Sequence, residues 1–113
     1  MKKQGVLNHR ISEVIASMGH GDMLVVADVG LPIPPGVERI DLAVKAGVPG
    51  LLEVVEVIAS ELQVEQLVIA SELEQNNANF AGELQALFPQ AKIQHLSHQD
   101  SLYGLGGVFV SVR

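Results

Sequence analysis

The sequence contains no cysteine and no tryptophan, and aromatic residues make up only 4% of its 113 residues. Without cysteine, disulfides, thiolate metal sites and thiol catalysis are excluded. With so few aromatic rings, the core must be built from Val, Ile, Leu and Ala. Basic residues are also few, because 7 Lys and Arg stand against 13 Asp and Glu, for a net charge of −6. The chain has no basic run, which argues against binding nucleic acid through its phosphates.

Long apolar runs are missing as well. Lys2 and Lys3 are not followed by an apolar stretch, so no secretory signal peptide is predicted. Runs such as residues 67–70 are far too short to cross a membrane. We therefore expect a cytoplasmic protein that does not act at a membrane. Hydrophobic residues still make up 48% of the chain, enough for one compact domain over residues 1–113.

Three segments carry the apolar spacing of one helix face. The first contains Ile11, Val14, Ile15 and Met18, with Asn8 as the predicted N-cap and Gly19 after its end. The second covers residues 51–62 and follows Val48-Pro49-Gly50. The third is capped by Asn77 or Asn79, stops at Pro89, and carries on its apolar side Phe80, Leu84, Leu87 and Phe88.

Short apolar runs predict strands at residues 23–27, 67–70, 92–96 and 108–112, the first of them buried on both faces. The alternation of Ile40, Leu42 and Val44 with more polar residues predicts a further strand. Residues 30–36 contain three prolines and are predicted to form a stiff loop. Helices that alternate with strands place the chain in the α/β class, with a mostly parallel sheet and helices on both faces.

Most standard motifs are absent. Residues 104–107 are rich in glycine but lack the phosphate-binding pattern, and they indicate a turn before the last strand. His95 and His98 are three residues apart, but His95 belongs to a predicted strand and His98 lies beyond it. We therefore predict no metal site at this pair.

Polar residues flank the first predicted strand. Gly19-His20-Gly21-Asp22 leads into it and Asp28 follows it. A histidine between two glycines has little neighbouring side chain to shield it from a ligand. Asp28 lies where a strand ends, a common location for binding groups in α/β sheets. From these residues alone, His20 as a solvated turn residue and Asp28 as a loop cap remain the competing interpretation.

The motifs along the chain resemble the D-ribose pyranase family, which also includes the fucose mutarotases. The resemblance covers residues 1 to about 100, in order and with nearly matched spacing. It is carried by Lys2-Lys3, Val6-Leu7-Asn8, Met18-Gly19-His20-Gly21-Asp22, Ala27-Asp28-Val29-Gly30-Leu31-Pro32-Ile33-Pro34, Arg39-Ile40-Asp41, Gly47-Val48-Pro49, Glu61-Leu62-Gln63-Val64-Glu65 and Leu96-Ser97-His98. The Gly30-Leu31-Pro32-Ile33-Pro34 segment favours the ribose branch of the family.

The resemblance implies an isomerase that interconverts pyranose and furanose forms of free ribose without a cofactor or metal. It assigns the general acid to His20 and sugar binding to Asp28 and His98. Ring opening needs a proton delivered to the ring oxygen and another removed from the anomeric hydroxyl, and an imidazole can do either near neutral pH. The resemblance also implies a ring-forming, pyranase-like fold, hence a cyclic homo-oligomer with its sugar sites at subunit boundaries.

After Asp100 the chain departs from the family pattern. Where the family carries a lysine that can contact sugar, Leu102 stands here, and Tyr103 lacks the Ala-Asn that follows the family's sugar-binding tyrosine. We expect residues 101–113 to represent a truncated or replaced tail that removes part of the pocket and impairs activity. Two alternatives to an active ribose pyranase stay open: a non-catalytic, ring-forming sugar-binding protein and a fucose mutarotase.

Overall fold

Three helices and four strands form the regular structure in the computed structural model, which describes residues 1–27, 33, 35–70, 79–96 and 107–112. The segments that lie outside this description include most of the predicted proline loop and residues 97–106. In chain order the elements are α1 (His9–Ser17), β1 (Met23–Ala27), α2 (Leu51–Ala59), β2 (Val64–Ala70), α3 (Phe80–Leu87), β3 (Lys92–Leu96) and β4 (Gly107–Val112).

The helices begin where the capping residues predict. The Asn8 side chain accepts a hydrogen bond from the Ile11 amide at 2.9 Å, which satisfies one of the free donors of the first turn of α1. At the start of α2, the Glu53 carboxylate accepts a hydrogen bond from the Gly50 amide, also at 2.9 Å. Asn79 immediately precedes α3, whereas Asn77, the alternative cap, lies outside the described residues.

Helix α2 ends at Ala59, three residues before the predicted end. Ser60 occupies the cap position, and its hydroxyl donates a hydrogen bond to the Val57 carbonyl at 2.6 Å. Leu62 is buried although it lies beyond the helix. The apolar spacing therefore correctly indicated that Leu62 is buried, but it did not indicate where the helix ends.

The sheet has the strand order β1-β4-β2-β3. Strands β2 and β3 are parallel, whereas β4 pairs antiparallel with both β1 and β2. Strands β1, β2 and β3 consequently run in one direction, and β4 runs against them between β1 and β2. This confirms the α/β class and the mostly parallel strand direction, although two of the three described pairings are antiparallel.

The strand predicted from Ile40, Leu42 and Val44 is wrong, because these residues belong to no described strand. The Asp41 carboxylate accepts a hydrogen bond from the Ala43 amide at 2.9 Å, a local bond that competes with strand pairing. Ile40 and Leu42 are half-buried against the core, and Val44 is 78% exposed. The alternation thus reflects one-sided burial of a segment that has no neighbouring strand.

The buried residues of the described strands share one face of the sheet. Val26 and Ile69 both pair with Val108, so their side chains lie on the same face, and both are buried. The cluster that they form includes residues from all three described helices, namely Ile11, Val55, Ile58 and Leu84. In the described part of the chain, all three helices therefore contribute to the core on this face.

The other face of the sheet is more open among the described residues. Met23 is 57% exposed, so β1 is not buried on both faces as predicted. On this face, the side-chain amide of Gln66 on β2 donates a hydrogen bond to the side-chain oxygen of Gln94 on β3 at 2.7 Å. The exposed Lys92 pairs with Gln66 in the parallel ladder.

An N-terminal clasp, formed by Lys2, Val6 and Glu61, fastens the start of the chain to the end of α2. The Lys2 ammonium donates to the Glu61 carboxylate at 2.7 Å and to the Val6 carbonyl at 2.9 Å. The second oxygen of the same carboxylate accepts from the Val6 amide at 2.6 Å. The hydrogen bond from Lys2, followed by that from Val6, holds the pKa of Glu61 below the ordinary value for glutamate.

The core predicts how two leucines differ in importance. Leu67 is fully buried, so Leu67→Ala should lower the free energy of unfolding by about 2–5 kcal/mol, measured by urea denaturation. Leu7 is 65% exposed and provides the matched control, since its replacement by alanine should change stability by less than about 0.5 kcal/mol. Similar losses for both variants would contradict the position of the core.

The N-terminal clasp predicts a pH-dependent contribution to stability. Because the pKa of Glu61 is lowered on folding, its charged form stabilises the protein above the unfolded-state pKa. This contribution is lost as the pH falls through the folded-state pKa. Urea titrations should show the parent more stable than Glu61→Gln at neutral pH, with a difference that shrinks in acid. Lys2→Met should lose only part of this pH-dependent contribution, because the Val6 amide still donates to Glu61. A difference between the parent and Glu61→Gln that is constant with pH would refute the clasp.

Candidate active site

A tight turn joins α1 to β1 and carries His20. The Asp22 amide donates to the Gly19 carbonyl at 3.0 Å, and the Gly19 amide donates to Asp22 Oδ2 at 2.8 Å. Gly21 has a φ of 87°, the conformation that a type II turn requires at its third position. Both hydrogen bonds join Gly19 to Asp22, and His20 and Gly21 lie between these two residues. We call residues 19–22 the histidine turn.

The surroundings of His20 suit an encounter with a small ligand. All four residues of the histidine turn are exposed. A Cβ atom placed on Gly21 would meet no described atom within 4 Å, and one on Gly19 would meet only Asp22 Oδ2, at 3.9 Å. The backbone on either side of His20 is therefore open among the described atoms, and the exposed His20 is accessible to a molecule in solution.

The two predicted sugar-binding residues, Asp28 and His98, lie outside the described residues. The strands that lead to them are described: β1 ends at Ala27, directly before Asp28, and β3 ends at Leu96, two residues before His98. Because β1 and β3 run in the same direction, their carboxyl ends lie at one edge of the sheet. His20 precedes β1 and thus lies toward the opposite edge.

The sheet sets the distances between these positions. Strand β1 has five residues, so its first residue, near His20, and its last residue, before Asp28, are about 17 Å apart. One row of paired residues crosses all four strands through Val26, Val108, Ile69 and His95. At roughly 4.8 Å for each strand spacing, β1 and β3 are about 14 Å apart. A single pentose ring is shorter than either distance.

Among residues 1–27, 33, 35–70, 79–96 and 107–112, none of the helices is long and apolar enough to cross a membrane. These residues also contain no group of three or more His, Asp or Glu side chains arranged to hold a metal ion.

Sequence reasoning missed the part that Asp22 plays in the histidine turn. It is the only side chain among the described residues that hydrogen-bonds within this turn. A signal was available, because aspartate near glycines in a turn commonly bonds to a neighbouring backbone amide.

The α/β fold and the histidine turn can be compared with known proteins. The profile of the RbsD / FucU transport protein family matches residues 1–105. The chain therefore belongs to this family, which confirms the resemblance drawn from its motifs.

Individual relatives agree with the family match. The chain is 52% identical over 99 residues to the D-ribose pyranase of Chloroflexus aggregans, a match that covers 88% of this chain and 76% of the relative. It is 46% identical over 100 residues to the D-ribose pyranase of Laribacter hongkongensis, with the same two coverages. The solved structure of Bacillus subtilis RbsD complexed with D-ribose has a TM-score of 0.84 and 33% identity. That match covers 99% of this chain and 97% of the other.

Proposed function

We propose that this protein is an isomerase of the D-ribose pyranase type that interconverts pyranose and furanose forms of D-ribose. The observation that carries the proposal is the exposed His20, held in a hydrogen-bonded turn between two glycines. Support comes from relatives named D-ribose pyranase at up to 52% identity among those compared and from a structural relative that binds D-ribose. The same proposal puts the reaction in the cytoplasm, as the sequence led us to expect.

The reaction consists of bond exchange at C1 of the sugar. In the pyranose, the anomeric hydroxyl loses its proton, the C1–O5 bond breaks, and O5 gains a proton, which yields the open-chain aldehyde. The O4 hydroxyl then adds to C1 and loses its proton, while the carbonyl oxygen is protonated again, which yields the furanose. No electrons are transferred to another molecule, and the protons balance. An acid–base group suffices, and we assign the general acid to His20.

We assign sugar binding to Asp28 and His98 on the strength of the family motif. The ends of their strands lie at one edge of the sheet, whereas His20 precedes β1 toward the other. The estimates of about 17 Å along β1 and about 14 Å across the sheet both exceed the size of one sugar. We therefore propose that a complete site combines groups from neighbouring subunits of a cyclic homo-oligomer.

Exposed apolar side chains support the assembly part of the proposal. Met23 is 57% and Val44 78% exposed in the single chain. Contact between subunits would remove such surface from water. Light scattering at micromolar concentration should give a mass several times that of one chain, and a monomeric mass would contradict this part of the proposal.

The assignment of His20 predicts the loss of activity in His20→Ala. NMR exchange spectroscopy on ribose measures the rate at which the pyranose and furanose forms interconvert. The parent should accelerate this exchange, and His20→Ala should lower the acceleration by about 10²–10⁴-fold, as expected on removal of a general acid. The matched control is His9→Ala, because His9 is exposed and begins α1 away from the histidine turn.

Other outcomes of this experiment would identify other functions. Ribose binding by the parent without faster exchange would indicate a non-catalytic sugar-binding protein. Faster exchange of fucose than of ribose would indicate a fucose mutarotase. Parental activity in His20→Ala would refute the acid assignment.

The shared site predicts complementation between two inactive variants. If one subunit supplies His20 and its neighbour supplies His98, mixing His20→Ala with His98→Ala restores some intact sites. In randomly mixed assemblies at equal amounts, about a quarter of the sites would be intact. Subunits are exchanged by mild denaturation and refolding, and activity is measured by the same NMR assay. Mixed assemblies that recover no activity would show that the site lies within one subunit.

A further inference from the structure

We propose that Asp22 is a positioning residue for catalysis, which holds His20 in place by closing the histidine turn through its side chain. This inference rests on the proposed function of His20 as the general acid. The observation that carries it is the hydrogen bond from the Gly19 amide to Asp22 Oδ2 at 2.8 Å, which spans His20 and Gly21.

The neighbouring secondary structure leaves the histidine turn without other side-chain support. Helix α1 ends at Ser17, and its cap residue Met18 already has extended backbone angles, φ −70° and ψ 134°. Strand β1 begins only at Met23. Among the described residues, Asp22 makes the only side-chain hydrogen bond to the backbone of the histidine turn. The turn's conformation consequently depends on this bond and on the main-chain bond from Asp22 to Gly19.

The two glycines make this tie necessary. Glycine has the largest backbone freedom of any residue, so a histidine between two glycines would sample many positions in an open turn. Asp22 reduces that freedom by fixing the backbone on both sides of His20. General acid catalysis needs the acid within hydrogen-bond reach of the ring oxygen, and displacement by about 1 Å can cost about 100-fold in rate.

The chemistry of the bond separates positioning from a direct effect of charge. The Asp22 side chain acts as an acceptor toward an amide, and the side-chain oxygen of asparagine can accept the same bond. Asp22 is exposed, so its charge is screened by water. Positioning therefore predicts that Asp22→Asn retains function, whereas a role for the charge predicts that it fails as Asp22→Ala does.

The test compares kcat and KM for ribose exchange in these two variants. Asp22→Ala should lower kcat by about 10–100-fold with KM changed less than about threefold, because the sugar-binding groups are unaltered. Asp22→Asn should stay within a few-fold of the parent. Ser17→Ala is the matched control, since it also removes an exposed side-chain bond to the backbone, 3.0 Å to the Val14 carbonyl. It should leave kcat unchanged.

A double-mutant cycle asks whether Asp22 acts through His20. If it does, adding Asp22→Ala to His20→Ala should lower the residual exchange rate no further. A separate readout does not depend on activity: hydrogen exchange of the Gly19 amide, followed by NMR, should be fast in Asp22→Ala and slow in the parent and Asp22→Asn.

Gly21 offers an independent check of the turn. Its φ of 87° disfavours side chains, but a Cβ there meets no described atom within 4 Å. Because asparagine tolerates positive φ better than alanine does, kcat should fall in the order parent, Gly21→Asn, Gly21→Ala.

The outcomes separate this inference from the proposed function. Parental activity in His20→Ala would overturn the acid assignment and with it the positioning role. An inactive His20→Ala together with parental kcat in Asp22→Ala would overturn only the positioning role. Equal losses in Asp22→Asn and Asp22→Ala, with the Gly19 amide still protected in Asp22→Asn, would also overturn it, in favour of a direct effect of the charge.

Discussion

The pairing of β1 with β4 is the constraint on which the arrangement of the site depends. Strand β1 carries the histidine turn before it and Asp28 after it, and its described pairing in the sheet is with β4, from the end of the chain. Strand β4 in turn pairs with β2, which makes it the link between β1 and the parallel pair of β2 and β3. The first and last strands thus hold each other in position.

Helix α1 connects the N-terminal clasp with the histidine turn. Lys2 and Glu61 fix the segment before α1 to the end of α2, and the helix then leads directly to Gly19. Arg10 on the same helix forms an ion pair with Glu38 through two hydrogen bonds, and Glu38 lies in the segment between β1 and α2. The helix is therefore tied to the segment that follows β1 and, through the N-terminal clasp, to the end of α2, and the histidine turn extends from this anchored support.

Under the proposed function, the same architecture accounts for a site that one chain does not complete. Parallel direction places the exits of β1 and β3 at one edge of the sheet, while the entry of β1 lies at the other. Assembly can bring opposite edges of two chains together, whereas β1 by itself holds its two ends about 17 Å apart. Under the proposed function, the distance along β1 is thus the reason for the oligomer.

The sequence by itself determined the helix starts, strands β1, β3 and β4 to within a residue, the α/β class and the motif around His20, because caps, apolar spacing and glycine patterns act over a few neighbouring residues. Strand β2 begins at Val64, three residues before the predicted start. The strand expected at Ile40, Leu42 and Val44 failed, since alternation records which side is buried and not whether a partner strand exists. Only the tertiary structure decided that β4 inserts antiparallel between β1 and β2 and that Asp22 closes the histidine turn. The strand insertion depends on contacts between residues far apart in the chain, and the closure of the turn depends on one side-chain orientation; residue spacing encodes neither.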